Sequence, residues 1–297
     1  MRKFRYLGTD DKIFYIIVYT LLTLIFIAVL YPCIFVISAS FSSGDAIQAG
    51  KVVLFPVDFS LEGYKTVFRT KDVLLGFRNS LFYTVAGTLL SLTLTMMAAC
   101  ALSRKDLPGR DGIMMFFSIT MFFSGGMIPL YMVVKHLHMI NTIWAILLPG
   151  AFGVYNMIMA RTFIQTNVPD EMLDAARIDG CSDLKFITAV VLPLSKTIIA
   201  VLILFYGVAM WNSYFSALIY LHNDQLYPLT LFLREILVLE MIDLSTITDP
   251  ELQAQLAKMA AGIKYALIVV SMIPILIIYP LIQKHIVKGV MIGAIKG

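Results

Sequence analysis

Residues Asn167 to Lys196 read NVPDEMLDAARIDGCSDLKFITAVVLPLSK, the one long polar interruption between apolar stretches of this 297-residue chain that looks built to be read by another protein. Pro169 suits the first position of a helix, where its missing N–H would be unpaired anyway. Asn167 can cap nearby, and Asp170 with Glu171 favours the positive end of the helix dipole. A helix is expected to start there, run through Met172, Leu173, Ala175 and Ala176, and stop at Gly180, which can take positive φ. A second short helical stretch follows, and Leu192-Pro193 leads into the next apolar run. Ala175 and Ala176 leave a side-chain-poor patch that another surface can approach, while Asp174, Arg177 and Asp179 can fix its register by charge. From the residues alone two readings stand: a docking helix, or an interfacial helix lying on headgroups, with Asp174 and Arg177 paired three residues apart on its surface.

What flanks this segment sets the fold class. Hydrophobic residues make up 59% of the chain and charged residues 14%, against roughly 45–50% and about 25% in globular domains. Six runs without Asp, Glu, Lys or Arg are long enough to cross a bilayer as helix: Ile13 to Gly44, Asn79 to Ser103, Gly112 to Val134, His136 to Ala160, Thr197 to Asn223 and Tyr265 to Gln283. Continuous apolar runs without strict alternation select helices over a barrel. The expectation is an all-α membrane protein with six transmembrane helices over residues 13–283, flanked by a cytoplasmic N-terminus (1–12) and a cytoplasmic tail (284–297).

Orientation follows from the bias of Lys and Arg toward the cytoplasm. With the N-terminus inside, the inner segments hold Arg2, Lys3, Arg5, Lys12, Arg104, Lys105, Arg110, Arg161, Arg177, Lys185, Lys196, Lys284, Lys288 and Lys296, which is 14 of the 23 basic residues. The 167–196 segment then lies in the cytoplasm, between helices 4 and 5. The N-terminal run is too long for a signal-peptide core of about 7–15 residues, so it reads as an uncleaved first helix. Cys33 and Cys100 fall in expected helices and Cys181 in the cytoplasm, which does not suggest a disulfide scaffold. Of the two external loops, about 45–78 and 224–264, the first reads as a surface loop with short helices. The second is acidic (Asp224, Glu235, Glu240, Asp243, Asp249, Glu251), with a helical pattern from Pro250 to Ala261.

The sequence DAARIDG at Asp174 to Gly180, followed by Leu192-Pro193, resembles the Glu-Ala-Ala loop of the membrane subunits of ATP-binding-cassette (ABC) importers. The wider pattern is similar to the maltose-type carbohydrate-uptake permeases, oligosaccharide subgroup. It comprises MIPLY (Met127 to Tyr131), Asn141-Thr142, RTF (Arg161 to Phe163), VPDEMLDAARIDG, VLPLSK, Trp211-Asn212, YPLTL (Tyr227 to Leu231) and the tail QKHIVKGVMIGAIKG. The match covers most of the chain from the second expected helix onward. Two positions depart from it: Asp174 stands where the family usually has glutamate, one methylene longer, and Cys181 follows Gly180 where Ala or Ser is common.

The resemblance implies that Glu171, Asp174, Ala175, Ala176, Arg177, Asp179 and Gly180 form the surface that couples to an ATPase. It implies a heterodimer with a second homologous permease chain, two ATP-binding subunits that carry ATP and Mg, an extracellular or periplasmic solute-binding protein, a sugar substrate and a prokaryotic cytoplasmic membrane. It also implies that the tail residues Lys288, Gly289, Gly293 and Lys296 contact the ATPase; a basic tail resting on anionic lipid is the alternative. The chain itself has no G-x-x-x-x-G-K-[ST] motif, since the GAIKG end lacks the following Ser or Thr. It is expected to bind no cofactor and to catalyse nothing, and no nucleic-acid partner is expected. Polar residues inside apolar runs are the candidates for the substrate path: Ser124, Asn156, Asn212 and Ser213, with Tyr131, Tyr155, Trp211 and Tyr214 offering aromatic faces to sugar rings. Pro129, after Gly125-Gly126, is the expected kink of the third helix. His136 and His138 lack companions at metal-ligand spacing. The rival class, a stand-alone secondary transporter, calls for charges within the membrane runs or inverted repeats, and the six runs contain no charge. A permease for a non-sugar solute is the nearer alternative.

Overall fold

The structure, a computed structural model, describes residues 8–242 and 250–294. Arg2, Lys3, Arg5, Asp243, Asp249 and Lys296, named above, lie outside the described residues. Every described element is a helix or turn apart from an isolated β-bridge between Ser42 and Phe59. In order these are α1 (Thr9–Ser40), α2 (Gly44–Gln48), α3 (Glu62–Arg69), α4 (Lys71–Ser103), α5 (Arg110–Phe122), α6 (Met127–His136), α7 (Trp144–Leu147) and α8 (Val154–Asn167). There follow α9 (Asp170–Ile178), α10 (Asp183–Phe186), a π-helical stretch (Ile187–Val191), α11 (Leu192–Leu194), α12 (Lys196–Trp211), α13 (Tyr214–Tyr220), a 3₁₀ turn (Asp224–Leu226), α14 (Leu229–Ile242) and α15 (Pro250–Ala294).

Among the described residues, three helical segments are long and apolar enough to cross a membrane: Thr9–Ser40, Lys71–Ser103 and Ala260–Pro280. Two bent pairs qualify when each is taken as one span, α5 with α6 at 114° and Asp183–Leu194 with α12 at 81°. The run His136 to Ala160 is not one helix. His138 (φ 56°) and Asn141 (φ 60°) leave the right-handed region, Pro149 supplies no N–H, and only the four residues of α7 are helical before α8 begins. The third run breaks at Phe123–Gly126, not at Pro129, where a kink was expected. Gly126 takes φ 84°, and Pro129 falls in the first turn of α6, where a missing N–H leaves no bond unmade.

The described residues form two compact units, residues 8–70 with 233–242 and 250–272, and residues 71–232 with 273–294. In the first, Ala39, Ala46 and Val52 make a small core with Phe35 and Tyr265, Lys258 pairs with Asp45, and Ser40 shares a 2.8 Å hydrogen bond with Tyr64. In the second, α4 packs along α8 and α12 around Met96, Ala99, Met157, Ala160, Leu202 and Tyr206.

Inside this second unit the polar groups freed at helix breaks are taken up by side chains. The Tyr206 hydroxyl accepts from the Gly153 N–H at 3.2 Å and lies 2.6 Å from Thr95 Oγ1. Asn79 donates to the carbonyls of Gln225 and Tyr227, and Tyr83 to that of Leu226. Ser80 Oγ accepts from the Leu229 N–H at 2.8 Å. Asn141 Oδ1 accepts from the backbone N–H groups of His222 and Asn223, which is why the chain turns there instead of continuing as helix.

In the first unit α3 and α15 meet backbone to backbone: a Cβ built on Gly63 would lie 2.5 Å from the Gly262 carbonyl oxygen. Gly63→Ala must push these helices apart and is expected to destabilise the protein by about 1–3 kcal/mol, seen as a lower melting temperature in detergent. Gly112→Ala, at a helical position with nothing within 4 Å of the added carbon, should melt like the parent.

Candidate functional site

The 167–196 segment folds as a helix bounded on both sides by backbone devices. Its first residue is Asp170, one later than expected. Pro169 is the N-cap, in extended conformation (φ −60°, ψ 150°) and without a side-chain cap, and Asp170 and Glu171 supply the acidic first turn. Asn167 does not cap this helix; its amide donates at 2.8 Å to the Phe163 carbonyl and closes α8 instead. The residue before a proline is held extended, so Asn167 is two residues too far back along a straightened chain to reach the new N–H groups. The C-terminal end is as expected: Gly180 takes φ 70°, its N–H donates to the Arg177 carbonyl, and the Cys181 N–H donates to that of Ala176, respectively the five-to-two and six-to-one bonds of a Schellman turn. Ser182 then caps α10 by accepting from the Lys185 N–H.

α9 has an inner and an outer face. Leu173 and Ala176 pack against the core of the second unit, as do Cys181 and Ile187 beyond the turn. Ala175 is exposed, so the two alanines do not form one patch: adjacent helical positions are about 100° apart. The outer face carries Asp174, with 71% of its side chain accessible, and Ile178, 88% accessible. Leu184 in α10 is 72% accessible.

Ion pairs fasten α9 to the turn that follows α4. Arg104 grips Asp106 through Nε at 3.0 Å and Nη2 at 2.8 Å, and its Nη1 reaches Asp183 Oδ1 at 2.7 Å. Asp106 Oδ2 also accepts from Arg177 Nη2, and Lys105 pairs with Asp170 at 2.7 Å. Arg177 lies 4.0 Å from Asp174, so the expected i,i+3 pair is present but is the weaker of its two contacts. Hydrogen bonds from Arg104 and Arg177 hold the Asp106 carboxyl well below the usual carboxylate range. The hydrogen bonds that Arg104 donates to Asp106 and Asp183 in turn raise its guanidinium. The end of α4 is clasped by α8 as well: Arg161 Nε donates to the Leu102 carbonyl at 2.9 Å and Gln165 to that of Ser103 at 3.1 Å. Beneath the ion pairs lies a groove of about 1320 Å³ whose lining includes Met96, Cys100, Arg161, Glu171 and Phe186.

The candidate path residues do not converge on one point. Tyr131 stacks on Tyr220 (6.2 Å between ring centroids), and Tyr214 packs around Tyr83 and Ala217. Trp211 is buried edge-on against Phe77 and lines a 250 Å³ apolar cavity with Thr84, Thr88 and Gly207. Ser124 and Tyr155 are exposed, as is Asn212, whose amide donates to its own helix at the Val208 carbonyl. Asn156 is partly covered beside Gly153, and the buried Ser213 hydroxyl has no partner among the described residues. Lys288, Gly289 and Gly293 fall in the last turns of α15. Two positions of this segment and its ion pairs escaped the sequence reading. Ile178 carried a local signal, being a large apolar side chain on a polar helix. Asp106 carried none, because its partner Arg177 is 71 residues away.

No protein-family profile matches the chain. It is 38% identical over 294 residues to the polygalacturonan/rhamnogalacturonan transport system permease protein YtcP of Bacillus subtilis (strain 168), covering 97% of this chain and 99% of that one. It is also 38% identical over 266 residues to the protein LplC of the same organism, covering 90% and 89% respectively. Among solved structures it resembles a bacterial ABC transporter involved in the import of the acidic polysaccharide alginate, with a TM-score of 0.84 and 32% identity over 94% of this chain and 98% of the matched chain.

A left-handed residue other than glycine costs roughly 1–2 kcal/mol, so Gly180→Ala is expected to fray the end of α9, read as faster amide hydrogen exchange over 170–181. The pH dependence follows from Asp106. Because its folded pKa is depressed, its contribution is present above the unfolded value of about 3.9 and is lost as pH falls below it. Protection of α9, corrected for intrinsic exchange rate, should stay flat from about pH 8 to 5 and drop only below about pH 4.

Proposed function

The chain belongs to the permeases of carbohydrate ABC transport systems, and from that membership we propose that it forms one half of the translocation path of an ATP-driven importer for an oligosaccharide. The other half is a second, homologous permease. Two separate ATP-binding subunits hold ATP and Mg and do the hydrolysis, and a solute-binding protein outside the membrane selects the sugar and delivers it. The relatives' names, polygalacturonan/rhamnogalacturonan and alginate, support a fragment of a sugar polymer as the substrate class.

In this reading the chain crosses a prokaryotic cytoplasmic membrane six times: α1, α4, the bent α5–α6, the broken stretch from α7 through α8, the bent segment ending in α12, and α15. Both termini are cytoplasmic, and the tail with Lys288, Gly289, Gly293 and Lys296 meets the ATPase. Asn156, Asn212 and Ser213 lie at helix breaks, where polar groups are free of the regular ladder, and are the path residues we favour. Tyr131 and Tyr214 have packing roles of their own.

The observation that carries the proposal is the outer face of α9. A short helix, led in by the extended Pro169, closed by the Gly180 turn and pinned from behind, presents Ile178 and Asp174 outward. Full burial of an isoleucine side chain stabilises by about 1.5–3 kcal/mol, so the exposed Ile178 offers a partner an anchor with Asp174 and Ala175 beside it. ATP binding would close the ATPase pair and draw the two permeases' α9 helices together, tilting the membrane helices behind them. This is a two-state element biased by contacts at the ATPase surface.

The experiment is sugar-stimulated ATP hydrolysis by the complete complex reconstituted with its binding protein. Ile178→Asp is expected to lower it by about tenfold or more, the equivalent of about 1.4 kcal/mol. An assembled Ile178→Asp complex with undiminished stimulation would overturn the role of α9. Failure of every oligosaccharide tested to stimulate the parent complex, with stimulation by a non-sugar solute, would overturn the substrate class.

A further inference from the structure

We propose that Asp106 is the positioning residue that links α9 to α4, so that a displacement of α9 reaches the path-forming helices through α4 as well as along the chain. The inference rests on the ATPase-coupling reading of α9. Covalently, α9 joins α8 through Val168-Pro169 and α10 through Asp179–Ser182; α8 is itself bonded to the end of α4, but neither connection ties α9 to α4 directly. The ion pairs supply that link at three places along the segment. Lys105 holds Asp170 at the N-terminal end of α9, Asp106 holds Arg177 in its last turn, and Arg104 holds Asp183 beyond the Gly180 turn.

Three points fix the orientation of a rigid body, and α9 with its Schellman turn is short enough to move as one. Single exposed pairs hold weakly, but Asp106 is shared. It receives Arg104 with both oxygens and Arg177 with one of them, and Arg104 is in turn oriented by Asp183. The four charges balance, so no member is left unpaired when the network is complete. α4 packs along both α8 and α12 and carries the Asn79, Ser80, Tyr83 and Thr95 contacts to distant breaks. A push at Asp106 is therefore delivered to the helix with the widest connections in its unit.

The test uses the complete complex and measures sugar moved per ATP hydrolysed, beside ATPase activity and assembly. In the complexes that assemble, Asp106→Asn and Arg177→Gln should each lower the sugar-to-ATP ratio by about fivefold or more, read against each complex's own rate of ATP hydrolysis. The double variant should be no worse than either single one, because both remove the same link, and Asp106→Glu should restore most of the ratio. If Asp106→Asn fails to assemble, Arg177→Gln alone decides by the same ratio. An unchanged ratio in the assembled variants, additive losses, or no rescue by Asp106→Glu would overturn the proposal. A parent complex that never associates with an ATPase would instead sink the coupling reading on which it stands.

Discussion

A peptide group inside a bilayer has no water to bond to, so a membrane helix can break only where something in the protein takes up the N–H and C=O groups that the break releases. This constraint organises the second unit. The Tyr206 hydroxyl closes the start of α8, Asn141 closes the turn after Tyr220, and Asn79, Ser80 and Tyr83 on one face of α4 close the turn from Gln225 to Leu229. Each repair joins residues far apart in sequence, so breaks that would otherwise loosen the bundle pin its helices to one another. α4 stands at the centre of these joints.

The site inherits its rigidity from that arrangement. α9 lies outside the apolar runs, yet its inner face is packed on the same core and its flank is tied to the end of α4. What remains free is a narrow outer strip with one large apolar side chain. The coupling role proposed for α9 calls for both properties, a firm back and an uncommitted front. Here the first comes from Leu173, Ala176 and the ion pairs, and the second from Ala175, Asp174 and Ile178. The absence of charges from the six apolar runs fits a machine whose energy enters at such a surface.

Features governed by neighbours in sequence were legible without the structure. The helix over 170–178 and its stop at Gly180 follow from a proline, two acidic residues and a glycine at fixed offsets, and the apolar runs follow from lipid thickness. The run from His136 to Ala160 misled because its break depends on Asn141 meeting residues some eighty positions later, and no local rule reports that. Pro129 misled for the opposite reason. The helix had already ended at Phe123–Gly126, so the proline fell where it is harmless. Asn167 was read as a cap for the helix ahead and serves the helix behind, since the Val168-Pro169 step carries the backbone out of its reach. Arg104 counted only as a basic residue of a cytoplasmic turn and Asp106 went unremarked; the ties to Arg177 and Asp183 became visible once α9 was laid against the end of α4.

The central claim, that α9 is the surface an ATPase subunit reads, is tested most directly by placing a photo-activated cross-linking residue at Ile178 in the native membrane and identifying the adduct by mass spectrometry. The account predicts an adduct with an ATP-binding subunit whose yield changes when a non-hydrolysable ATP analogue is added. Adducts with lipid alone, from a chain that still supports sugar uptake, would contradict it.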